Sequence, residues 1–185
     1  MSASTGGLIE TVLPLGEAAV HGYLAQSKEL GFDIVELSSA MVAVSIEDKA
    51  NLIRAVNALG MKAKPEVTGW TPGDRSRISA EKMIREAEAM LEAGAWTIMI
   101  EEDGLFSSGN TANDERDWDR DAVWRLASRL PEDKLYWEAS SVSIIRWLLS
   151  SFGSQVNIFS GAEELGYIAA FRSGTFAMPI AAFRG

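Results

Sequence analysis

One stretch decides the fold of this chain: Ala95-Trp96-Thr97-Ile98-Met99-Ile100-Glu101-Glu102-Asp103-Gly104. Six apolar or β-branched residues follow one another without a charge and stop at three carboxylates and a glycine. Such a run is typical of a parallel strand that is buried on both faces. Because parallel α/β proteins place their sites at the carboxyl ends of strands, we expect function at Glu101 and its neighbours.

Four other short segments also end on a glutamate, and helical patterns separate all five. These segments are Leu8-Ile9-Glu10, Ile34-Val35-Glu36, Ala63-Lys64-Pro65-Glu66 and Leu135-Tyr136-Trp137-Glu138. The alternation predicts a parallel sheet with helices outside it, either a barrel or a doubly wound sheet. Acids at five strand ends favour the barrel, because a doubly wound sheet concentrates its site at one switch point. With a last strand at residues 155–159, we expect a partial TIM-type (β/α) barrel of about six parallel strands.

Composition limits the classes of function. The 185 residues, 47% of them hydrophobic, predict one domain over residues 1–185. The chain has no cysteine and one histidine, which excludes thiolate nucleophiles and histidine metal clusters. It has no apolar run of the roughly 18 residues that a membrane span needs, and its first residues lack the basic region of a signal peptide. We therefore expect a soluble, cytoplasmic protein. A net charge of −9 disfavours nucleic acid and anionic membranes as partners.

The glutamates at consecutive strand ends are the candidate metal ligands. Carboxylate oxygens are suitable ligands for a hard dication such as Mg²⁺, and we expect Glu66, Glu101 and Glu138 to converge at the barrel mouth. Converging acids raise one another's pKa, so a cation or nearby basic groups would be needed to keep them ionised. The alternative is that single glutamates pair with Lys or Arg or face helix amino termini.

Other candidate residues surround this cluster. Lys64 is the one base on a strand close to the mouth, where it would act as an acid or a phosphate contact, unless it is a solvated strand-start residue. Glu36 and Ser38 lie at the end of the preceding strand and are predicted to bind substrate. Ser160 and Gly161 precede the last helix, where backbone donors can approach a phosphate, although a plain helix cap explains Ser160 equally well.

A series of motifs along nearly the whole chain resembles the phosphosulfolactate synthase family. The motifs, in order, are Gly6-Gly7-Leu8-Ile9-Glu10, Leu30-Gly31-Phe32-Asp33-Ile34-Val35-Glu36-Leu37-Ser38, Lys64-Pro65-Glu66-Val67, Glu92-Ala93-Gly94-Ala95, Ile98-Met99-Ile100-Glu101, Leu130-Pro131-Glu132-Asp133-Lys134-Leu135, Trp137-Glu138-Ala139 and Val156-Asn157-Ile158. The resemblance implies a (β/α)₈-type barrel from its third to its eighth strand, magnesium dependence, and addition of sulfite to phosphoenolpyruvate in coenzyme M biosynthesis. A catalytic role for Glu101 and Glu138 would follow.

The chain departs from the family pattern at three places where the family has cations. Thr68-Gly69-Trp70 replaces a lysine pair, Glu101-Glu102-Asp103-Gly104 replaces an arginine-containing turn, and Ser140-Ser141 follow Glu138-Ala139 in place of a lysine. Fixed cations stabilise a phosphate and a developing carboxylate-enolate. Two hypotheses therefore stay open, a divergent magnesium-dependent lyase and a catalytically silent barrel relative with a binding or stress-related role.

Two further expectations concern segments around the barrel. The segment at residues 105–119 is long for a βα connection, which fits a lid or binding loop and a solvated surface insertion equally well. The two βα units that are missing before Gly6 would leave strand edges unpaired. We expect a second copy of the chain to cover them, as a homo-oligomer, unless the apolar tail at residues 175–183 or upstream residues do so.

Overall fold

The computed structural model describes residues 2–72, 76–106 and 118–175. Five strands and seven α-helices alternate along them. The strands are β1 (Ile34–Leu37), β2 (Lys62–Val67), β3 (Ile98–Ile100), β4 (Leu135–Glu138) and β5 (Ile158–Phe159). The helices are α1 (Ile9–Val12), α2 (Glu17–Glu29), α3 (Ile46–Ala58), α4 (Ala80–Glu92), α5 (Arg120–Arg129), α6 (Val142–Phe152) and α7 (Leu165–Arg172).

The five strands form one parallel sheet in the order β1-β2-β3-β4-β5. Each strand lies beside the one before it in the chain, which is the order of a barrel, whereas a doubly wound sheet reverses direction at a switch point. The expected partial barrel is therefore confirmed. Within the described ranges it has five strands rather than six.

The two faces of the sheet differ in chemistry. Val35, Ala63 and Ile100 are fully buried and pack with the helices in one hydrophobic core. Because successive residues of a strand point to opposite faces, Lys64 lies on the other face, which we call the lumen face. There its ammonium lies 2.7 Å from Glu36. The lumen faces of β1 and β2 thus carry charged side chains that are nevertheless buried.

Four helices, α3 to α6, begin at the carboxyl side of the sheet with a polar capping residue. The side chains of Ser45, Ser79, Asp119 and Ser141 each accept a hydrogen bond from the backbone N–H three residues later. These caps satisfy donors that the first helical turn leaves free. They fix the βα loops from which the candidate site is built.

The strand predicted at Leu8-Ile9-Glu10 is wrong, because this segment is helical. A 3₁₀ turn at Gly6–Leu8 leads into α1. Ile9, Val12 and Leu13 recur at helical spacing and pack on the core, so a helix buries them on one side. The edge of β1 is paired instead by residues 3–5, through a parallel bridge from Ser4 to Ile34.

Several expectations fall on residues outside the described ranges. Most of the connection at residues 105–119 does so, as does most of the tail at residues 175–183, and their roles stay predictions. In the part of the chain that is described, no helix combines the length and the apolar composition that crossing a membrane requires.

Candidate active site at the carboxyl edge of the sheet

Three strand-end carboxylates meet at the carboxyl edge of the sheet. Glu101 follows β3 directly, and its carboxyl group lies within hydrogen-bonding reach of Glu66 from β2 and Glu138 from β4. Burial and these two neighbouring acids raise the pKa of Glu101 to about 12. Two ionised carboxylates cannot approach so closely without a proton or a cation between them, so Glu101 holds a proton when no cation is present.

Glu66 is buried, with only 2% of its surface exposed. Its Oε2 accepts hydrogen bonds from the Ser38 hydroxyl at 2.6 Å and from the Ser39 backbone N–H at 3.1 Å. Because both serines follow β1, these bonds tie the Glu66 carboxylate of β2 to the end of the neighbouring strand β1. Glu66 is therefore not at an open strand end, and its orientation is fixed by the loop after β1.

Glu10 reaches the same loop from α1. Its Oε1 accepts from the backbone N–H groups of Met41 at 2.7 Å and Val42 at 3.3 Å, and its Oε2 lies 3.2 Å from the Ser38 hydroxyl. A hydroxyl carries one proton, so Ser38 can donate to Glu66 or to Glu10 but not to both. Glu10 thus positions the loop that holds Glu66, although it does not follow a strand.

Glu102 closes the other side of the cluster. It accepts from the Ser140 N–H at 2.8 Å and the Ser140 hydroxyl at 2.6 Å, while its own N–H donates to Glu138 Oε2 at 3.3 Å. Burial raises the pKa of Glu102, and the bonds from Ser140 offset part of that rise. Its Oε1 is buried and has no hydrogen-bond partner among the described residues.

Lys64 and Glu36 form a buried ion pair on the lumen face below the three carboxylates. The Lys64 side chain is 7% exposed and that of Glu36 is 9% exposed. The ammonium also lies 4.7 Å from the centre of the Phe159 ring and 5.8 Å from that of Tyr136. Lys64 is therefore no solvated strand-start residue. The Glu36 carboxylate neutralises the Lys64 ammonium, so a substrate anion would compete with Glu36 for Lys64.

The loops after β2 and β3 touch through two glycines. Gly69 has a left-handed backbone, with φ of +73°, and an added Cβ there would lie 2.7 Å from Gly104 Cα. An added Cβ on Gly104 would in turn overlap the backbone of Thr68 and Gly69. Only glycines permit this close approach, which brings the end of β3 against the end of β2.

The predicted phosphate position at Ser160 and Gly161 has a different environment. The Ser160 hydroxyl donates to the Ala139 carbonyl at 2.7 Å, and a Cβ on Gly161 would lie 2.8 Å from the carboxylates of Glu163 and Glu164. Two acids beside Gly161 do not favour an anion there without a cation. A phosphate role for this position stays a prediction.

The donor set is suitable for a hard dication, although it is not arranged around one. Within the described ranges, no group of three His, Cys, Asp or Glu side chains has the spacing of a metal-ligand shell. Glu66 and Glu138 instead approach Glu101 from its two neighbouring strands. A dication in place of the Glu101 proton would neutralise the repulsion, and oxygen donors are the ligands that Mg²⁺ prefers. On this ground the residues fit a magnesium ion.

Sequence reasoning identified the three strand-end acids but missed Glu102, Ser39 and Ser140. A signal for Glu102 was present, because three consecutive acids follow β3, but the sequence does not show which of them turns inward. The serines carry no signal beyond their place directly after a strand end.

The sequence profile of the (2R)-phospho-3-sulfolactate synthase (ComA) family matches residues 1–177. The chain belongs to this family. Its sequence is 27% identical over 177 residues to the phosphosulfolactate synthase of Methanothermobacter thermautotrophicus, covering 91% of this chain and 66% of that protein. It is 30% identical over 182 residues to Protein HEAT-STRESS-ASSOCIATED 32 of Arabidopsis thaliana, covering 88% of this chain and 62% of that protein. The chain thus spans somewhat under two thirds of the length of these relatives.

Solved structures resemble this phosphosulfolactate synthase family chain in fold. A phosphonopyruvate hydrolase in complex with oxalate and Mg²⁺ superimposes with a TM-score of 0.54 at 17% identity, covering 91% of this chain and 57% of that one. A putative phosphonomutase from Burkholderia cenocepacia gives a TM-score of 0.53 at 14% identity, covering 86% of this chain and 63% of that one. At these identities the likeness concerns the barrel fold alone.

Proposed function

We propose that this chain is a magnesium-dependent lyase that adds sulfite to phosphoenolpyruvate or a related phosphorylated three-carbon acid. The observation that carries the proposal is the meeting of Glu66, Glu101 and Glu138 at the carboxyl edge of the sheet, with the pKa of Glu101 raised to about 12. Family membership supports the reaction class. Magnesium in the phosphonopyruvate hydrolase structure supports the metal.

The proposed reaction forms a carbon–sulfur bond and moves one proton. The sulfur lone pair of sulfite attacks the terminal CH₂ carbon of the enol phosphate, and the double-bond electrons move toward the substrate carboxylate. A proton then reaches the adjacent carbon and completes the phosphorylated sulfo acid. A magnesium ion, when bound, would supply positive charge for the developing carboxylate-enolate.

The residues of the chain have separate tasks in this proposal. Glu66, Glu101 and Glu138 supply oxygen ligands, and Ser38 and Ser39 hold Glu66 in orientation. The Lys64 ammonium is the proposed proton donor or phosphate contact, and it becomes available when the substrate draws it from Glu36. Buried, preorganised charges of this kind stabilise a transition state more strongly than charges in water do.

A turnover assay with sulfite and phosphoenolpyruvate, with and without Mg²⁺, tests the activity. Other phosphorylated three-carbon acids are assayed beside it. We expect magnesium-dependent product, and lack of turnover together with lack of magnesium-dependent ligand binding would refute the lyase proposal.

Calorimetric titration with Mg²⁺ tests the metal site separately. The Gln variants of Glu66, Glu101 and Glu138 should each bind Mg²⁺ at least tenfold more weakly. Glu29→Gln, which changes an exposed acid at the end of α2, serves as the matched control. Equal magnesium affinity in all four variants would show that these acids do not bind the metal.

The second candidate function is a catalytically silent barrel with a binding or stress-related role. Both buried lysines near the site are neutralised, Lys64 by Glu36 and Lys49 by Glu86 at 2.6 Å. The stretches Thr68-Gly69-Trp70 and Ser140-Ser141 stand where the family pattern has lysines, and the relative from Arabidopsis carries a stress-associated name. Magnesium binding without turnover on any phosphorylated acid would favour this alternative.

A further inference from the structure

A cavity of about 400 Å³ lies between the start of α5 and the part of α6 from Ser143 to Ser150. Two arginines, two tryptophans, two serines and an isoleucine line it. None of its lining residues belongs to the carboxylate cluster, so the cavity is separate from that site. Its volume is within the range of small-molecule sites.

The lining of the cavity is positive in a protein whose net charge is −9. Arg120 and Arg146 both line it, and neither forms an ion pair with any described residue. Other arginines of the same region do, since Arg77 pairs with Asp119 and Arg125 pairs with Asp121. Among the described residues that line the cavity, none is acidic. As far as the described residues go, two guanidinium groups are thus left for an external anion.

The aromatic wall holds one of these arginines and leaves a donor unused. The Arg120 guanidinium lies 5.5 Å from the centre of the Trp147 ring, where the ring face attracts a cation. Trp118 packs edge-to-face on Trp147 at 5.2 Å and is 5% exposed. Its indole N–H is buried without an acceptor among the described residues. A buried donor without a partner is unfavourable, and a bound acceptor that reached this N–H would relieve it.

The start of α6 adds to the positive potential. Ser143 and Ile144, in the first turn of this eleven-residue helix, line the cavity. The amino end of a helix carries a partial positive charge and favours anions. The helix end alone would not define a site, but it coincides here with two arginines that form no ion pair, and an indole N–H that has no acceptor, among the residues that the structure describes.

We propose that this cavity binds a small organic anion, whose carboxylate or phosphate group lies between Arg120 and Arg146 and whose body packs on Trp147 and Ile144. Guanidinium groups bind both kinds of oxyanion through paired hydrogen bonds. The proposal does not depend on the lyase activity, because none of these residues belongs to the carboxylate cluster.

Titration of the metal-free protein with inorganic phosphate, pyruvate and phosphoenolpyruvate tests the proposal. Calorimetry gives the affinity, and tryptophan fluorescence reports on the cavity, which two tryptophans line. We expect binding that weakens with added salt. Stronger binding of phosphate would identify a phosphate site, and stronger binding of pyruvate a carboxylate site. Absence of binding of all three probes to the wild-type chain would overturn the proposal.

Single variants locate the bound anion. Arg120→Gln and Arg146→Gln change exposed side chains, so the fold should persist, and each should weaken binding at least tenfold. Arg54→Gln is the matched control, because Arg54 is an exposed arginine on α3 that hydrogen-bonds Asn51. It should change the affinity less than twofold. Equal losses in all three variants would mean non-specific attraction and would contradict the proposal.

Two more variants separate this cavity from the carboxylate cluster. Trp118→Phe keeps the aromatic packing and removes the indole donor, so it should weaken binding severalfold. Glu101→Gln should leave anion affinity unchanged, whatever it does to magnesium binding or turnover. Anion affinity that responds to Glu101→Gln but not to Arg120→Gln would place the anion at the other site and refute this assignment.

Discussion

At the scale of single residues, Glu101 is unusual because its carboxyl group lies at the barrel mouth but is not ionised. It is a carboxylic acid at the mouth of a barrel, yet burial and its two acidic neighbours keep it protonated at neutral pH. A proton in this position is a stand-in for a cation, because both relieve the repulsion between Glu66 and Glu138. Binding of the proposed magnesium ion would therefore displace the Glu101 proton.

This proton makes stability depend on pH in a definite direction. The ordinary pKa of a glutamate, 4.5, applies to an unfolded chain, and burial with two acidic neighbours raises the pKa of Glu101 to about 12 in the folded one, so folding takes up a proton between these values. Its contribution to stability is complete below pH 4.5 and is lost as pH rises, by at most about 1.4 kcal/mol per pH unit. Glu101→Gln cannot ionise and should escape this loss.

Urea unfolding at pH 5, 6.5 and 8 in the presence of a chelator measures the effect. The free energy of unfolding of Glu101→Gln, relative to wild type, should rise from pH 5 to pH 8. Glu29→Gln, which changes an exposed glutamate, should show no such trend. A difference between Glu101→Gln and wild type that stays constant over this range would show that Glu101 is ionised in the folded protein.

A second prediction concerns the buried ion pair. Lys64→Met or Glu36→Leu alone leaves a buried charge without its partner and should cost roughly 3–5 kcal/mol of unfolding free energy. The double variant removes both charges and should recover most of that loss. Chemical denaturation of the three variants completes the cycle. Additive losses would mean that the two side chains do not stabilise each other.

At the scale of elements, the packing of the loops after β2 and β3 depends on glycine. Gly104→Ala would force the backbones of Thr68 and Gly69 apart, which we expect to cost about 2 kcal/mol of stability and to weaken magnesium binding by displacing Glu101 from Glu66. Gly22→Ala is the control. Gly22 lies within α2 with free space around it, so an alanine there should stabilise by roughly 0.5–1 kcal/mol. Thermal unfolding compares the two, and equal stability of Gly104→Ala and wild type would show that the loops separate freely.

The sequence predicted elements where the physical signal was strong. Four of the five glutamate-ended segments contain a strand. Apolar runs precede Glu36, Glu101 and Glu138, whereas the strand before Glu66 contains Lys64 and Pro65 and was recognised by its place in the alternation with helices. The apolar run Leu8-Ile9 has only two residues, and so short a run fits the periodicity of a helix as well as that of a strand. Their helix is set by the burial of Ile9 against the core, which is a tertiary effect.

The site was predictable in position but not in its connections. Carboxyl ends of neighbouring parallel strands must lie together, so the proximity of three acids followed from strand order. The hydrogen bonds to Ser39 and Ser140 depend on loop conformation, which no local pattern encodes. The arginine cavity was also missed, because Arg120 and Arg146 lie on different helices and no local pattern shows that these helices pack together.

At the scale of the whole molecule, the described sheet has one strand edge without a partner. β5 pairs with β4 on one side, and no described strand pairs with its other side. Phe159 on this strand is 39% exposed although its ring contacts the buried Lys64 ammonium. An apolar ring exposed beside an unpaired edge favours association with another surface.

We therefore predict that the chain forms a homo-oligomer through the side of β5. Light scattering on the purified chain should give a mass of at least two copies, and Phe159→Ser should shift the equilibrium toward the monomer at least tenfold in dissociation constant. Leu30→Ser is the control, because Leu30 is 71% exposed but lies at the end of α2. A wild-type chain that is monomeric at high concentration and unfolds in one sharp thermal transition would show that the edge of β5 is covered within a single copy. Dissociation by Leu30→Ser but not by Phe159→Ser would instead place the contact between copies at α2.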